Sequence, residues 1–209
     1  MGSFIKKINF GYMRDDLLRE TARMAASESL KFFKESFVKG GFTDTAFKKW
    51  TDKKSPLGGK RTMYKVGILK ESIRKVEESS QRVVVQSGTK YSAIHNDGGY
   101  ITVTTRMKRW WWWQYSILSG IKLGDRKKGE KTNWQDKRAY KRTKSGSVAN
   151  TAKNRKISAK AEFCKKMALM KVGSKIKIPQ RQFMGDSQKL MSVLDGKFHT
   201  KAAEYWEKA

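Results

Sequence analysis

At 209 residues and 38% hydrophobic content, the chain is long enough for one large domain or one domain with an insertion, and lean but sufficient for a packed core. Its 47 Lys and Arg stand against 19 Asp and Glu, an excess of 28 that is too large for a solubility device alone and sets up a field attractive to polyanions. No apolar run of the roughly 18 residues needed for a spanning helix is present, and Met1-Gly-Ser-Phe-Ile-Lys-Lys lacks the apolar centre of a secretory signal, so synthesis and folding are expected in the cytoplasm without membrane contact. Met-Gly at the start suggests myristoylation only weakly, given Lys6 and the absence of a second anchor.

Taken in chain order, the first predicted element is a long amphipathic helix from about Tyr12 to Lys39. Leu18, Ala22, Ala25, Phe33 and Phe37 recur on one face, Leu17, Met24 and Phe32 widen it, and Gly40-Gly41 ends it. Trp50 to Lys65 is turn chemistry, with Trp50 itself read as core, and Val66 to Glu77 is expected as a short second helix. Arg82-Val-Val-Val-Gln-Ser87 and Tyr100-Ile-Thr-Val-Thr104 read as strands, paired with each other around a turn at Tyr91 to Asn96. Met107 to Leu118 follows as a helix. A polar stretch from Gly120 to Lys156, with Trp134 and Tyr140 as its only aromatics, reads as a loop or arm unable to close a core. Ser158 to Val172 is the next helix, with Ala161, Phe163, Cys164, Met167, Ala168 and Met170 as its apolar content. Lys175 to Phe183 is expected as the last strand, and Ser187 to Lys208 as a closing helix striped by Leu190, Leu194, Phe198, Ala202 and Tyr205.

No catalytic, cofactor or metal site emerges. His95 and His199 with the single Cys164 cannot supply three or four zinc ligands. Cys164 cannot close an internal disulfide, in keeping with folding in a reducing compartment, and on the apolar side of its helix it is expected as a buried, inert thiol. Gly58-Gly-Lys60 lacks the first Gly and the Ser/Thr of a phosphate loop. His95 has no acid, nucleophile or oxyanion donor placed beside it by a motif. It is expected as a core ring with one nitrogen bonded to backbone near Gly98-Gly99.

Two further blocks carry more information. Gly88-Thr-Lys-Tyr-Ser-Ala-Ile-His-Asn-Asp-Gly-Gly99 reads as a strand end, a short helical turn and a hinge; Ile178-Pro-Gln-Arg-Gln-Phe-Met-Gly185 reads as an extended segment, since Pro179 disfavours helical geometry before it. With Trp50 and Gly67-Ile-Leu-Lys-Glu-Ser-Ile73 ahead of them, these blocks resemble the phage virion morphogenesis family, the Mu-like tail completion proteins. In that family a Trp is followed by Gly-Xaa-Leu-Xaa-Xaa-Ser-Ile, then Tyr-Ala-Xaa-Xaa-His-Xaa-Xaa-Gly-Gly, then Pro-Xaa-Arg-Xaa-Phe-Xaa-Gly. The matching positions are Trp50, Gly67, Leu69, Ser72, Ile73, Tyr91, His95, Gly98, Gly99, Pro179, Arg181, Phe183 and Gly185, with Ser92 where Ala is usual and Gln182 where Pro is common.

The resemblance implies an α+β fold, with long N-terminal and C-terminal helices packed on a small, mainly antiparallel sheet. It implies a single domain over 1–209, interrupted by a basic, Trp-containing insertion at about 105–177 that carries no family motif. It also implies a structural virion role in head–tail joining or tail completion: a ring of six copies at the neck or head-proximal tail, in contact with neighbouring neck and tail proteins. An alternative function is a basic DNA-binding or packaging accessory protein.

Thr104 to Ile178 holds 22 Lys/Arg and 4 Asp/Glu, so most of the charge excess belongs to this stretch. Arg126, Lys127, Lys128, Lys137, Arg138, Lys141, Arg142 and Lys144 are the candidate polyanion contacts, either with phage DNA through counterion release or with an acidic neighbour. Trp110, Trp111, Trp112 and Trp113 cover nearly the whole circumference of a helix, so one face cannot bury them all. They are interface candidates, with base stacking and membrane anchoring as the other readings.

Overall fold

In the computed structural model, which describes residues 10–58, 61–119 and 149–208, α1 (Phe10–Lys39) leads into the short strands β1 (Gly41–Thr43) and β2 (Phe47–Lys49). Then come α2 (Ile68–Glu71), β3 (Ile73–Glu78), β4 (Val83–Ser87), α3 (Ser92–Asn96) and β5 (Gly99–Thr102). The chain continues through α4 (Thr105–Ser119), α5 (Ala152–Leu169), β6 (Lys175–Ile178) and α6 (Gln188–Lys208). The fold is α+β, as expected, but among the described residues its strands form three separate two-stranded antiparallel sheets: β1 with β2, β3 with β4 and β5 with β6. The chain divides into two compact units, one of residues 1–51, 59–98 and 179–209, the other of 52–58 and 99–178.

The first unit is organised by α1. Ala22, Ala26, Phe33 and Phe37 are its buried apolar positions, with Ser36 buried beside them, whereas Leu18, expected on the same stripe, is exposed. Gly40 ends the helix in the left-handed region (φ 72°), its N–H bonded to the Ser36 carbonyl at 2.8 Å. Phe33, Phe37, Phe42, Trp50, Leu69, Ile73, Phe183 and Leu190 form one core cluster, each large side chain contributing on the order of 1.5–3 kcal/mol by leaving water. Phe37 is its hinge point, meeting Trp50 edge-on at 5.3 Å and Phe183 at 5.1 Å between ring centroids.

Val66 to Glu77 is not one helix. Only Ile68–Glu71 is helical, and Ile73–Glu78 is a strand paired with β4, with an irregularity between Lys75 and Glu77. Apolar residues at 66, 69, 73 and 76 mimic a helical stripe, yet Val66 and Val76 are exposed and only Leu69 and Ile73 enter the core. Backbone pairing with the β-branched run Val83–Val85 therefore decides the conformation. The expected pairing of β4 with the strand after Gly99 is likewise replaced: β5 pairs with β6, from Gly99 opposite Ile178 to Thr102 opposite Lys175. The last strand stops at Ile178, and 179–187 carries no regular structure.

Near the end of the chain α6 returns along α1. Tyr205 donates its hydroxyl to Asp16 at 2.7 Å, and that bond, together with burial and nearby acidic charge, pushes the phenol up to about 12. Lys197 reaches Glu28 and Lys201 reaches Glu20 and Glu204. The hydrogen bond from Lys197 holds the Glu28 carboxyl below the usual range.

In the second unit, α4 packs on α5 and β5 pairs with β6. Thr151 caps α5 by accepting from the Asn154 N–H at 3.2 Å. Ala161, Cys164 and Ala168 line the buried side of α5, small enough to let α4 approach closely. Cys164 is fully buried, and burial raises its thiol above the ordinary range, in keeping with an inert core position. Val103 is tied to the turn before β6: its N–H donates to Ser174 at 2.8 Å, and its carbonyl accepts from Gly173 at 2.9 Å.

Candidate functional site

The four sequence blocks converge in the first unit. Trp50, 5% exposed, lies against Phe37 and donates its indole N–H to the Gln182 carbonyl at 2.6 Å. Leu69 and Ile73 enter the same cluster from α2 and β3; Gly67 precedes α2 and its carbonyl accepts from Glu71 at 2.9 Å. Ser72 donates to the Leu69 carbonyl at 2.7 Å and meets the Ser87 hydroxyl at 2.8 Å, so this serine joins α2 to β4.

The extended segment 179–187 is clamped on both sides. Arg181 is buried; its backbone N–H donates to the His95 carbonyl at 2.8 Å and its Nε to the Thr51 carbonyl at 2.9 Å. Phe183, 1% exposed, occupies the core while its N–H and that of Met184 both donate to Asn96 Oδ1, at 2.9 and 3.0 Å. Gly98 (φ 75°) is the close-approach point: a Cβ there would lie 2.8 Å from the Gln180 backbone nitrogen. Gly99 opens β5, Pro179 follows β6 directly, and Gly185 is exposed after the clamp.

His95 differs from expectation. Its ring is only half-buried, meets Tyr91 edge-on at 6.0 Å, and its buried Nδ1 has no hydrogen-bond partner among the described residues; the backbone bond at this residue is made by its carbonyl. Burial, then the positive charge of Arg181, holds the imidazole below the usual histidine range. Among the described residues no group of three His, Cys, Asp or Glu is placed to hold a metal, and no helix is long and apolar enough to cross a membrane.

Three positioning residues escaped sequence reasoning. Asn96 carries no pattern that distinguishes a clamp from an ordinary helix-ending Asn. Asp44 accepts the Gln188 N–H at 2.8 Å, and Ser187 donates to the Thr43 carbonyl at 2.8 Å while accepting from Leu190 at 3.1 Å, so the β1–β2 turn caps α6. Asp44 between two threonines is turn chemistry, a signal for the turn but not for its docking on a helix 144 positions later.

In the second unit the four tryptophans divide. Trp111 packs edge-on against Phe163 of α5 at 5.7 Å, and Trp112 meets Tyr115 at 5.8 Å, both partly buried. Trp110 and Trp113 are 46% and 54% exposed. The candidate polyanion contacts Arg126, Lys127, Lys128, Lys137, Arg138, Lys141, Arg142 and Lys144, with Trp134 and Tyr140, lie outside the described residues.

Charge is neutralised differently in the two units. Many lysines of the first unit face acids, as in Lys34–Glu71, Lys39–Glu35 and Lys75–Glu78. Across 99–119 and 149–178 there are 12 Lys/Arg and one acid, Glu162, and no ion pair joins a described acid to any of the 12.

No family model, curated protein or solved structure matches the chain.

Proposed function

We propose that the chain is a structural virion protein of a tailed phage or prophage, acting in head–tail joining or tail completion as a ring-forming component. Support comes from the way the sequence blocks behind the family resemblance meet. Trp50, Leu69, Ile73 and Phe183 share one core, and the segment around Arg181 is held by the His95 carbonyl, Thr51 and Asn96. Residues that form a common folding unit across more than a hundred positions are the kind a family would carry as an ordered set of short motifs. The proposed role needs no turnover: it requires only surfaces for contact with copies of itself and with neighbouring neck and tail proteins.

The test is removal of the gene from the phage that carries it, followed by electron microscopy of the lysate and labelling of the protein in wild-type particles. Filled heads and separate tails, with the label at the neck, are expected. Normal particles without the protein would end this reading.

The charge of 99–119 and 149–178, which no described acid pairs, favours a second reading, a DNA-binding or packaging accessory protein. Such a protein would be absent from purified virions, and its loss would leave empty heads rather than unjoined parts.

A further inference from the structure

We propose that the outward face of α4, formed by Arg106, Arg109, Trp110 and Trp113, is a stacking platform for single-stranded DNA. These positions follow the i, i+3, i+4, i+7 spacing that brings side chains onto one helix face, and all four are exposed. The platform is braced from beneath. Phe163 of α5 meets Trp111 edge-on at 5.7 Å, and Trp111 in turn meets Trp110 edge-on at 4.5 Å, so one outward indole is oriented by an inner one.

The occupant follows from charge and chemistry together. Trp and Arg are also enriched at protein–protein interfaces, so the charge balance decides: here two indoles share one face with two guanidinium groups on a helix that carries no acid. Counting α4 itself, the 12 Lys/Arg of 99–119 and 149–178 face a single acid in those stretches, and none of them is neutralised by a described one. A chain of phosphates carrying flat rings satisfies both features at once: phosphates meet the cations and unpaired bases lie on the indoles. Bases in a duplex are stacked on one another and offer no face to a side chain, which selects a single strand. The choice of DNA over RNA rests on the virion reading above; the stacking face does not, and solution binding is measured without reference to the neck, so the two can fail separately.

The experiment measures binding of the full chain to a 20-nucleotide oligo(dT), to an abasic oligomer of the same length, to oligo(U) and to polyglutamate. Oligo(dT) should bind more tightly than the abasic oligomer and quench Trp emission. Trp110→Ala with Trp113→Ala should weaken it by at least about thirtyfold while leaving abasic binding unchanged. Arg106→Gln with Arg109→Gln should make the slope of log affinity against log salt shallower, by about 0.7 for each phosphate that is no longer neutralised. Equal affinity for oligo(dT) and the abasic oligomer in the unaltered chain would overturn the proposal, whatever the variants do. So would polyglutamate binding that matches oligo(dT), which would point to an acidic protein. Undiminished oligo(dT) binding by the Trp variant in a smaller oligomer would identify these indoles as subunit contacts, and a tenfold preference for oligo(U) would remove DNA as the occupant.

Discussion

Trp50 and Gln182 are 132 positions apart in the chain, yet the indole N–H of one reaches the carbonyl of the other at 2.6 Å. That bond fixes the extended segment at the point where Phe183 enters the core, so a single side chain supplies both packing and register. Trp50→Phe keeps most of the ring but leaves the carbonyl without its donor, and should cost about 1–3 kcal/mol. Trp50→Ala also opens a cavity beside Phe37 and should cost about 3–5 kcal/mol. Urea midpoints of the two variants measure this; equal losses would mean that the ring's packing beside Phe37 adds nothing beyond the hydrogen bond.

Asn96 holds two consecutive backbone N–H groups with one oxygen. Asn96→Ala leaves both without that acceptor and should destabilise by about 2 kcal/mol or more. Asn96→Asp keeps an acceptor in the same place and should lose less. Hydrogen exchange at the Phe183 and Met184 amides gives the local readout, with faster exchange in the Ala variant and partial protection in the Asp variant.

How much of this was legible in the sequence depends on how far apart the partners lie. The long helices were readable because Phe33 and Phe37, or Leu190 and Leu194, repeat at a helical step within a few residues. β3 was not, because Leu69, Ile73 and Val76 copy that step while the deciding interaction is backbone pairing with β4. The pairing of Gly99–Thr102 with Lys175–Ile178 was invisible for a related reason: no local signal says which of two β-rich segments will meet a third. Trp50, Leu69, Ile73 and Phe183 could be singled out by their motif, but the clamp at Asn96 could not, since an Asn aimed at a distant backbone has the same sequence as one facing water.

Gly98 tests the closeness of two backbones. Its φ of 75° disfavours any L side chain, and a Cβ would stand 2.8 Å from the Gln180 nitrogen, with Gln180 Cα at 3.1 Å. Backbone cannot yield as a flexible side chain would. Gly98→Ala should therefore destabilise by at least about 1–3 kcal/mol, whereas Gly196→Ala, in α6 with nothing near its Cβ position, should stabilise by about 0.5–1 kcal/mol. Thermal midpoints moving in opposite directions are the expected result; a neutral Gly98→Ala would show that the Gln180 segment can shift away.

His95 sets a pH window. Burial and Arg181 hold its folded-state value below that of the unfolded chain, so the unfolded state takes up a proton first as pH falls. Its contribution is fully present above about pH 6.5, the ordinary histidine value, and is lost as pH falls through the folded value. Denaturation midpoints measured downward from pH 7.5 should decline in the unaltered chain and decline less in His95→Gln. Parallel curves would show that the ring is not desolvated enough to matter.

Trp111 and Trp113 are two positions apart but belong to different sides of α4. Trp111 touches Phe163, whereas Trp113 is more than half exposed. Replacing Trp111 removes an aromatic contact between α4 and α5 and part of its packing, so Trp111→Ala should lower stability by about 3 kcal/mol, the low end for a large ring because Trp111 is only partly buried. Trp113→Ala should stay within about 0.5 kcal/mol, as surface substitutions do. A double-mutant cycle of Trp111→Leu with Phe163→Leu isolates the ring pair itself, for which about 0.5–1.5 kcal/mol of coupling is expected. Zero coupling, or equal losses at 111 and 113, would mean that α4 is not held to α5 through this pair, and Trp110 would then lack the brace that orients it outward.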